Sequence, residues 1–239
     1  MGVALFLLLA ALLTWAALAS RLERLGAPRG DRRRQMLLLG AAILLWWGLA
    51  FVAGERELFR ATAAGPPYIA VGFTLPFIAA FVLFRRWTTL RRAVDALPVH
   101  WVIGMQVYRL GGLGFLLLYR EGLLPASFAY PIGLVDVVVG ASAALVAHMF
   151  ARHRPYARAA GIVWNIAGLI AALDAVSFGF FATPGPFQLV STTPSIEILS
   201  HFPYSMLITF GVPHIFFAHF VALRLILIGQ QAVAQPSPA

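Results

Sequence analysis

The sequence predicts an all-α, polytopic integral membrane protein, a bundle of seven transmembrane helices. Of its 239 residues, 61% are hydrophobic and only 11% are charged, whereas soluble domains carry about 25% charged residues. The chain also contains seven apolar runs, each close to the 20 residues or so needed to cross about 30 Å of hydrocarbon. Lipid offers no partners to backbone polar groups, so only helices or closed barrels can span it, and these runs lack the alternation of barrel strands.

The seven predicted helices follow one another with short connections and form a single domain over residues 1–230. They cover residues 2–20, 35–53, 68–84, 98–118, 131–151, 159–182 and 203–228. The first run has no basic side chain before it and an arginine cluster after it, which favours an uncleaved helix over a secretory signal. Pro213 interrupts the seventh run, and we expect it to leave the carbonyl of Thr209 without its helical partner.

The connections and the tail are predicted to be small. Between the sixth and seventh helices, Ser195 is placed to cap a short interfacial helix over residues 195–199. Residues 231–239 end in a stretch rich in proline and are predicted to be a disordered tail.

The distribution of basic residues predicts the orientation. All eighteen basic residues are arginine, against nine acids, for a net charge of +9. With the N-terminus outside, fourteen arginines fall on the cytoplasmic side, and three, Arg56, Arg60 and Arg120, fall on the other. Cytoplasmic loops are enriched in basic residues, so we expect the N-terminus outside and the C-terminus in the cytoplasm of a plasma membrane or bacterial inner membrane.

The same charge pattern predicts the partners. Arginines in short loops contact anionic lipid headgroups at the cytoplasmic face. Nucleic-acid binding requires a basic patch on a soluble domain, so no nucleic acid is expected. Other membrane subunits are a further possible class of partner.

Two missing residue types exclude several kinds of chemistry. The chain has no lysine and no cysteine. A Schiff base, as in a retinal pigment, and a cysteine nucleophile or thiolate metal site are therefore impossible. Hydrolase and nucleotide-binding motifs are also missing from the sequence, which favours a protein without enzymatic activity.

Four ionisable residues within the predicted helices form the candidate site: Arg109, Asp136, Asp174 and His214. Such residues are costly inside a bilayer and need a partner or a function. One interpretation is that Arg109 bridges the two acids and only fixes helix packing. In the other, the group lines a polar cavity that binds a small ligand or relays protons, and the net charge of −1 on the Arg–Asp–Asp triad leaves room for a proton, a cation or protonated His214.

Helical spacing predicts which faces these residues occupy. Asp136 lies four residues before Gly140, and Asp174 lies three before Ser177, so each acid shares a face with a small residue and is expected to face the bundle interior. Asn165 lies nine residues from Asp174, about 180° away around the helix. We therefore expect Asn165 to face a different neighbour.

Three functions from different classes fit the sequence. The leading hypothesis is a small membrane protein that binds or transports a small molecule or ion at a mid-membrane polar site, with no cofactor. The second is a non-catalytic accessory subunit of a larger membrane complex. The third is a redox protein with a b-haem held by His148 and by His219 or His214; His214 and His219 are about 140° apart and poorly placed to bind one metal together.

Overall fold

The part of the chain that the structure describes is an all-helical fold. It is a computed structural model and describes residues 1–24, 29–62 and 68–234. The helical content is 82%, and no strand occurs in these residues. Seven of the helices are long and apolar enough to span a membrane, as predicted. They cover Gly2–Glu23, Gly30–Glu55, Tyr68–Arg86, Val99–Arg120, Ala126–Ala151, Ala157–Ala182 and Leu207–Gly229.

Within the described ranges, the seven spans are built from eight α-helices and two irregular helical segments, and a ninth α-helix connects two spans. The α-helices are α1 (Gly2–Arg24), α2 (Arg29–Glu55), α3 (Tyr68–Arg86), α4 (Thr88–Asp95), α5 (Val99–Met105), α6 (Leu113–Arg120), α7 (Ala126–Ala151), α8 (Ala157–Ala182) and α9 (Val212–Ala234). Helix α4 is a short connection rather than a span. The predicted start of the fifth span, residue 131, is five residues late because Pro131 lies inside α7, whose first turn begins after Pro125.

The fourth span changes its helical geometry halfway along. Between α5 and α6 it is a 3₁₀-helix, Gln106–Gly112. This type of helix has three residues per turn, so residues three apart lie in one row. Gln106, Arg109 and Gly112 form that row and are all buried. The 3₁₀ segment therefore presents these three residues together to the neighbouring helices.

The seventh span begins with a π-helical segment, Leu207–Gly211, which ends two residues before Pro213. Proline has no N–H to donate, and a wide turn is one way for a helix to accommodate it. As predicted, the Thr209 carbonyl bonds outside the helical ladder, accepting a hydrogen bond of 3.1 Å from Trp46 Nε1. Helix α9 continues to Ala234, so residues 231–234 of the predicted tail are helical, and 235–239 lie outside the described residues.

Between α8 and the seventh span, the predicted short helix is a 3₁₀-helix, Ile196–Ser200. Ser195 caps it, as predicted, by accepting a hydrogen bond of 3.1 Å from the Glu197 backbone N–H. Elsewhere α7 packs against α5, the 3₁₀ segment and α8, and α8 packs against α9. Helices α2 and α3 each pack against the π segment, and a cleft separates them.

Candidate functional site

Arg109 and Asp136 form a buried ion pair between the fourth and fifth spans. Arg109 Nε and Nη2 donate to Asp136 Oδ1 at 3.0 Å and 2.6 Å. The Arg109 side chain is 1% exposed and that of Asp136 is 17% exposed. The structure thus brings together these two residues of the predicted site, and their opposite charges cancel.

Arg109 also bonds to the sixth and seventh spans. Its Nη1 donates to the Gly168 carbonyl at 3.4 Å and bonds to His219 Nε2 at 3.1 Å. Because a guanidinium can only donate, Nε2 of His219 accepts, and the ring proton sits on Nδ1. That Nδ1–H donates to Asn165 Oδ1 at 2.9 Å. We call Asp136, Arg109, His219 and Asn165 the Arg109 clamp, because it ties four spans together.

Glycines allow the helices to approach closely enough to form the clamp. A Cβ on Gly140 would lie 2.7 Å from the Leu110 backbone nitrogen, and one on Gly112 would lie 2.6 Å from Asp136 Cβ. A Cβ on Gly168 would overlap the His219 ring. Small residues at the crossing points are therefore required for these contacts, as the sequence pattern predicted.

Asp174 does not belong to this group, contrary to the expectation that Arg109 bridges two acids. It is exposed, and none of the described ion pairs or hydrogen bonds joins it to Arg109. The buried face of α8 carries Gly161, Asn165 and Gly168, and Asp174 lies on the opposite side of the helix. Without Asp174 the clamp has no surplus negative charge, so the argument for a bound cation is lost.

His214 lies in a second polar group, separate from the clamp. Its Nε2 lies 2.8 Å from Thr14 Oγ1, and its Nδ1 lies 3.1 Å from the Tyr108 hydroxyl. Since the Thr14 hydroxyl donates to the Ala10 carbonyl at 2.9 Å, it accepts from Nε2–H. Tyr108 then donates to Nδ1, so this neutral group is internally satisfied.

The three histidines proposed as haem ligands are poorly placed for that function. An axial ligand needs a free lone pair on a ring nitrogen, but Arg109 occupies that of His219, and Tyr108 occupies that of His214. His148 is exposed on α7. In the described part of the chain, no group of three or more His, Cys, Asp or Glu residues is arranged to hold a metal ion.

A cleft between α2 and α3 adjoins the polar group around His214. Its volume is about 1290 Å³. Most of its lining is aliphatic and aromatic, from Leu58 and Tyr68 at one end to Trp87 at the other, and Thr14 and His214 lie on its wall. Arg109 is not part of the lining. Of the predicted site residues, His214 therefore lines this cleft, whereas Arg109, Asp136 and Asp174 do not.

Several residues of the two groups were not predicted from the sequence. Asn165 and His219 complete the clamp, and Thr14 and Tyr108 complete the group around His214. A signal existed for Asn165, which lies four residues after Gly161 and three before Gly168, on the glycine-rich face of α8. No comparable spacing in the sequence pointed to Thr14, which lies 200 residues from His214.

The fold and these groups define a class: a seven-helix bundle of membrane-spanning type, with a buried arginine clamp and a lateral apolar cleft. Residues 66–227 match the family model described as a domain of unknown function (DUF8737), and the chain belongs to that family. The match includes every residue of the clamp. Comparison with curated proteins and with solved structures gave no match.

Proposed function

We propose that this chain is an integral membrane protein that takes a lipophilic small molecule from the bilayer and binds it in the cleft between α2 and α3. Its N-terminus lies outside and its C-terminus in the cytoplasm of a plasma or bacterial inner membrane. The seven apolar spans and the fourteen arginines on one side of them support this placement.

The size and position of the cleft are the observation that carries the proposal. At about 1290 Å³, it exceeds the 300–1,000 Å³ or so of pockets for drug-sized ligands. Its lining follows α3 from Tyr68 to Phe84, a rise of about 24 Å. It lies between two spans that do not close on each other, so its opening faces the space that lipid tails would occupy.

The lining defines the chemistry of the ligand. Nearly every lining side chain is apolar, and Arg224, the charged one among them, is already paired with Asp95 at 2.7 Å and 2.9 Å. Thr14, which is hydrogen-bonded to His214, offers a polar contact partway along the cleft. The Thr14 hydroxyl can turn from the Ala10 carbonyl towards a ligand oxygen. The ligand is thus an elongated, uncharged, mainly apolar molecule with one or two oxygen atoms at the level of His214.

The Arg109 clamp does not bind the ligand. It stabilises the packing of the helices next to the cleft. Its residues bond to one another and lie outside the cleft lining. Tyr108, next to Arg109 in the 3₁₀ segment, links the clamp to the cleft wall through His214.

Filling the cleft is expected to remove the ligand. Ala79 is an exposed residue of α3 that lines the cleft, and Ala144 is an exposed residue of α7 that does not. In protein purified in lipid nanodiscs, Ala79→Trp should retain about tenfold less extractable ligand by mass spectrometry, since steric overpacking costs about 1–3 kcal/mol. Ala144→Trp should retain as much as the unaltered chain.

A finer variant tests the polar contact. Thr14→Val keeps the shape of the side chain but removes its hydroxyl, and we expect roughly 2–10-fold weaker binding, the effect of one hydrogen bond. Equal ligand retention by Ala79→Trp and Ala144→Trp, or no lipophilic molecule bound at near-equal stoichiometry to the chain, would show that the cleft is only a space filled by bulk lipid.

Transport, the accessory-subunit role and b-haem binding stay predictions. Transport would require the bound molecule to cross the bilayer, which reconstituted vesicles loaded with the identified ligand can measure. An absorption spectrum of the purified protein tests haem directly, since a b-haem gives a Soret band.

A further inference from the structure

Three aromatic side chains meet in a row across the cleft between α2 and α3. Trp46 comes from α2, Phe217 from α9 and Phe77 from α3, and all three line the cleft. The ring centroids of Trp46 and Phe217 are 6.0 Å apart, and those of Phe217 and Phe77 are 5.1 Å apart. We call these three residues the aromatic band. The band continues from one wall of the cleft to the other.

The aromatic band lies beside the polar contact of the cleft. Phe217 follows His214 by three residues, a rise of about 4.5 Å along α9. His214 in turn is bonded to Thr14, whose hydroxyl lies on the cleft wall. A ligand at this level therefore meets aromatic rings and a hydroxyl group together.

The position of Trp46 is fixed before any ligand binds. Its Nε1–H donates to the Thr209 carbonyl at 3.1 Å, and its ring packs against that of the buried Phe210 with 4.4 Å between centroids. A preorganised surface loses little rotamer freedom when a ligand binds. Since the indole N–H is already bonded, Trp46 offers a ligand its ring and not a hydrogen bond.

The charges around the cleft argue against a cation as the partner of these rings. Aromatic faces do attract cations, but none of the described residues that line the cleft is acidic. The charged residue among them is Arg224, which would repel a cation. A neutral ring suits the band instead, because aromatic rings pack edge-to-face or offset-stacked with centroids about 4.5–7 Å apart.

We infer that the ligand of the cleft is a quinone or its quinol, a flat ring that carries oxygen atoms and an aliphatic tail. This inference rests on the proposed function, in which the cleft binds a lipophilic molecule. The ring lies against the aromatic band, and the tail lies along the aliphatic part of the lining. Thr14 fits both forms, because its hydroxyl can donate to a quinone carbonyl, and its second lone pair can accept from a quinol hydroxyl.

Two ligands that differ in the ring test the inference. Decylbenzoquinone and hexadecanedione have the same numbers of carbon and oxygen atoms, but hexadecanedione is a straight chain. Both are offered together to the protein in lipid nanodiscs, and the retained amounts are measured by mass spectrometry after subtraction of those in empty nanodiscs. The unaltered chain should retain about 2–12-fold more quinone than dione, the effect of one aromatic pair.

Phe217→Leu should remove most of this preference, because leucine is apolar but has no aromatic ring. Its retention of the dione should stay close to that of the unaltered chain. Phe220→Leu is the matched control, since Phe220 also lies on α9 and lines the cleft but is not part of the aromatic band. That variant should keep the preference for the quinone.

Two results would overturn the inference and still leave the cleft as a binding site. One is equal retention of the quinone and the dione by the unaltered chain. The other is an unchanged preference for the quinone in Phe217→Leu. Failure of the proposed function gives a different result, in which Ala79→Trp retains both ligands as well as the unaltered chain does.

Discussion

Arg109→Met is expected to lower the free energy of unfolding by about 3–5 kcal/mol, the usual cost of removing one partner of a buried ion pair. The substitution leaves the Asp136 carboxyl group without a counter-charge in a site that is almost closed to solvent. It also removes the hydrogen bonds to His219 Nε2 and the Gly168 carbonyl. Reversible unfolding in mild detergent, followed by tryptophan fluorescence, measures the change.

A double-mutant cycle separates this explanation from a simple loss of packing. Asp136→Leu alone should be similarly destabilising because it leaves Arg109 uncompensated. The double variant, Arg109→Met with Asp136→Leu, should cost far less than the sum of the two, since apolar residues can replace a buried pair. If the losses of unfolding free energy in the two single variants add up to the loss in the double variant, the two residues do not neutralise each other.

Arg109→Lys is the matched control for charge. It keeps a positive group opposite Asp136, but an ammonium lacks the planar fork that serves Asp136, Gly168 and His219 at once. We expect its stability to lie between those of the unaltered chain and Arg109→Met. If each variant of Arg109 or Asp136 that folds also retains ligand in the cleft, the clamp is a structural support, as we infer.

The seven spans could be predicted from the sequence because membrane-type helices satisfy their own backbone and show it as long apolar runs. The irregular turns were harder to place. Pro213 predicted an irregular turn in the seventh span, and the structure places the π segment, Leu207–Gly211, before this proline. The 3₁₀ segment of the fourth span depends on how α7 packs against it, which a single run of residues does not reveal.

The pairing of Arg109 with Asp136 was one of the predicted contacts, and Gly140, four residues after Asp136, indicated that this face of the helix meets a neighbour. The choice between Asp174 and Asn165 was not predicted, although their opposite placement on α8 was expected. Its charge suggested that Asp174 faces the interior, but the packed face of α8 is the one that carries Gly161 and Gly168. In this span, the small residues that permit close approach were a better guide to the buried side than the formal charge.

The prediction for His214 was limited for a different reason. Its partners, Thr14 and Tyr108, come from the first and fourth spans, and such long-range contacts depend on how the helices are arranged around one another. The cleft likewise exists because α2 and α3 do not close, which no local pattern encodes. The sequence thus indicated which polar residues lie within the spans, but it could not predict the cleft beside His214.

Gly140→Ala is expected to destabilise the protein by about 1–3 kcal/mol, the cost of overpacking a close contact. The added methyl group would lie 2.7 Å from the Leu110 backbone nitrogen and 3.1 Å from the Arg109 carbonyl carbon. Backbone atoms cannot turn aside as a side chain can, so α7 and the 3₁₀ segment must separate. Asp136, one turn earlier on α7, would then move away from Arg109.

Gly104→Ala is the matched control at the same pair of spans. Its Cβ would meet only Ala147 Cβ, at 3.5 Å, an ordinary contact. Alanine favours a helix over glycine by about 0.5–1 kcal/mol, so this variant should be as stable as the unaltered chain or slightly more stable. In the same unfolding experiment, Gly140→Ala should therefore lower the free energy of unfolding, and Gly104→Ala should leave it unchanged or raise it slightly. Equal effects would mean that the close approach at Gly140 does not hold the clamp together.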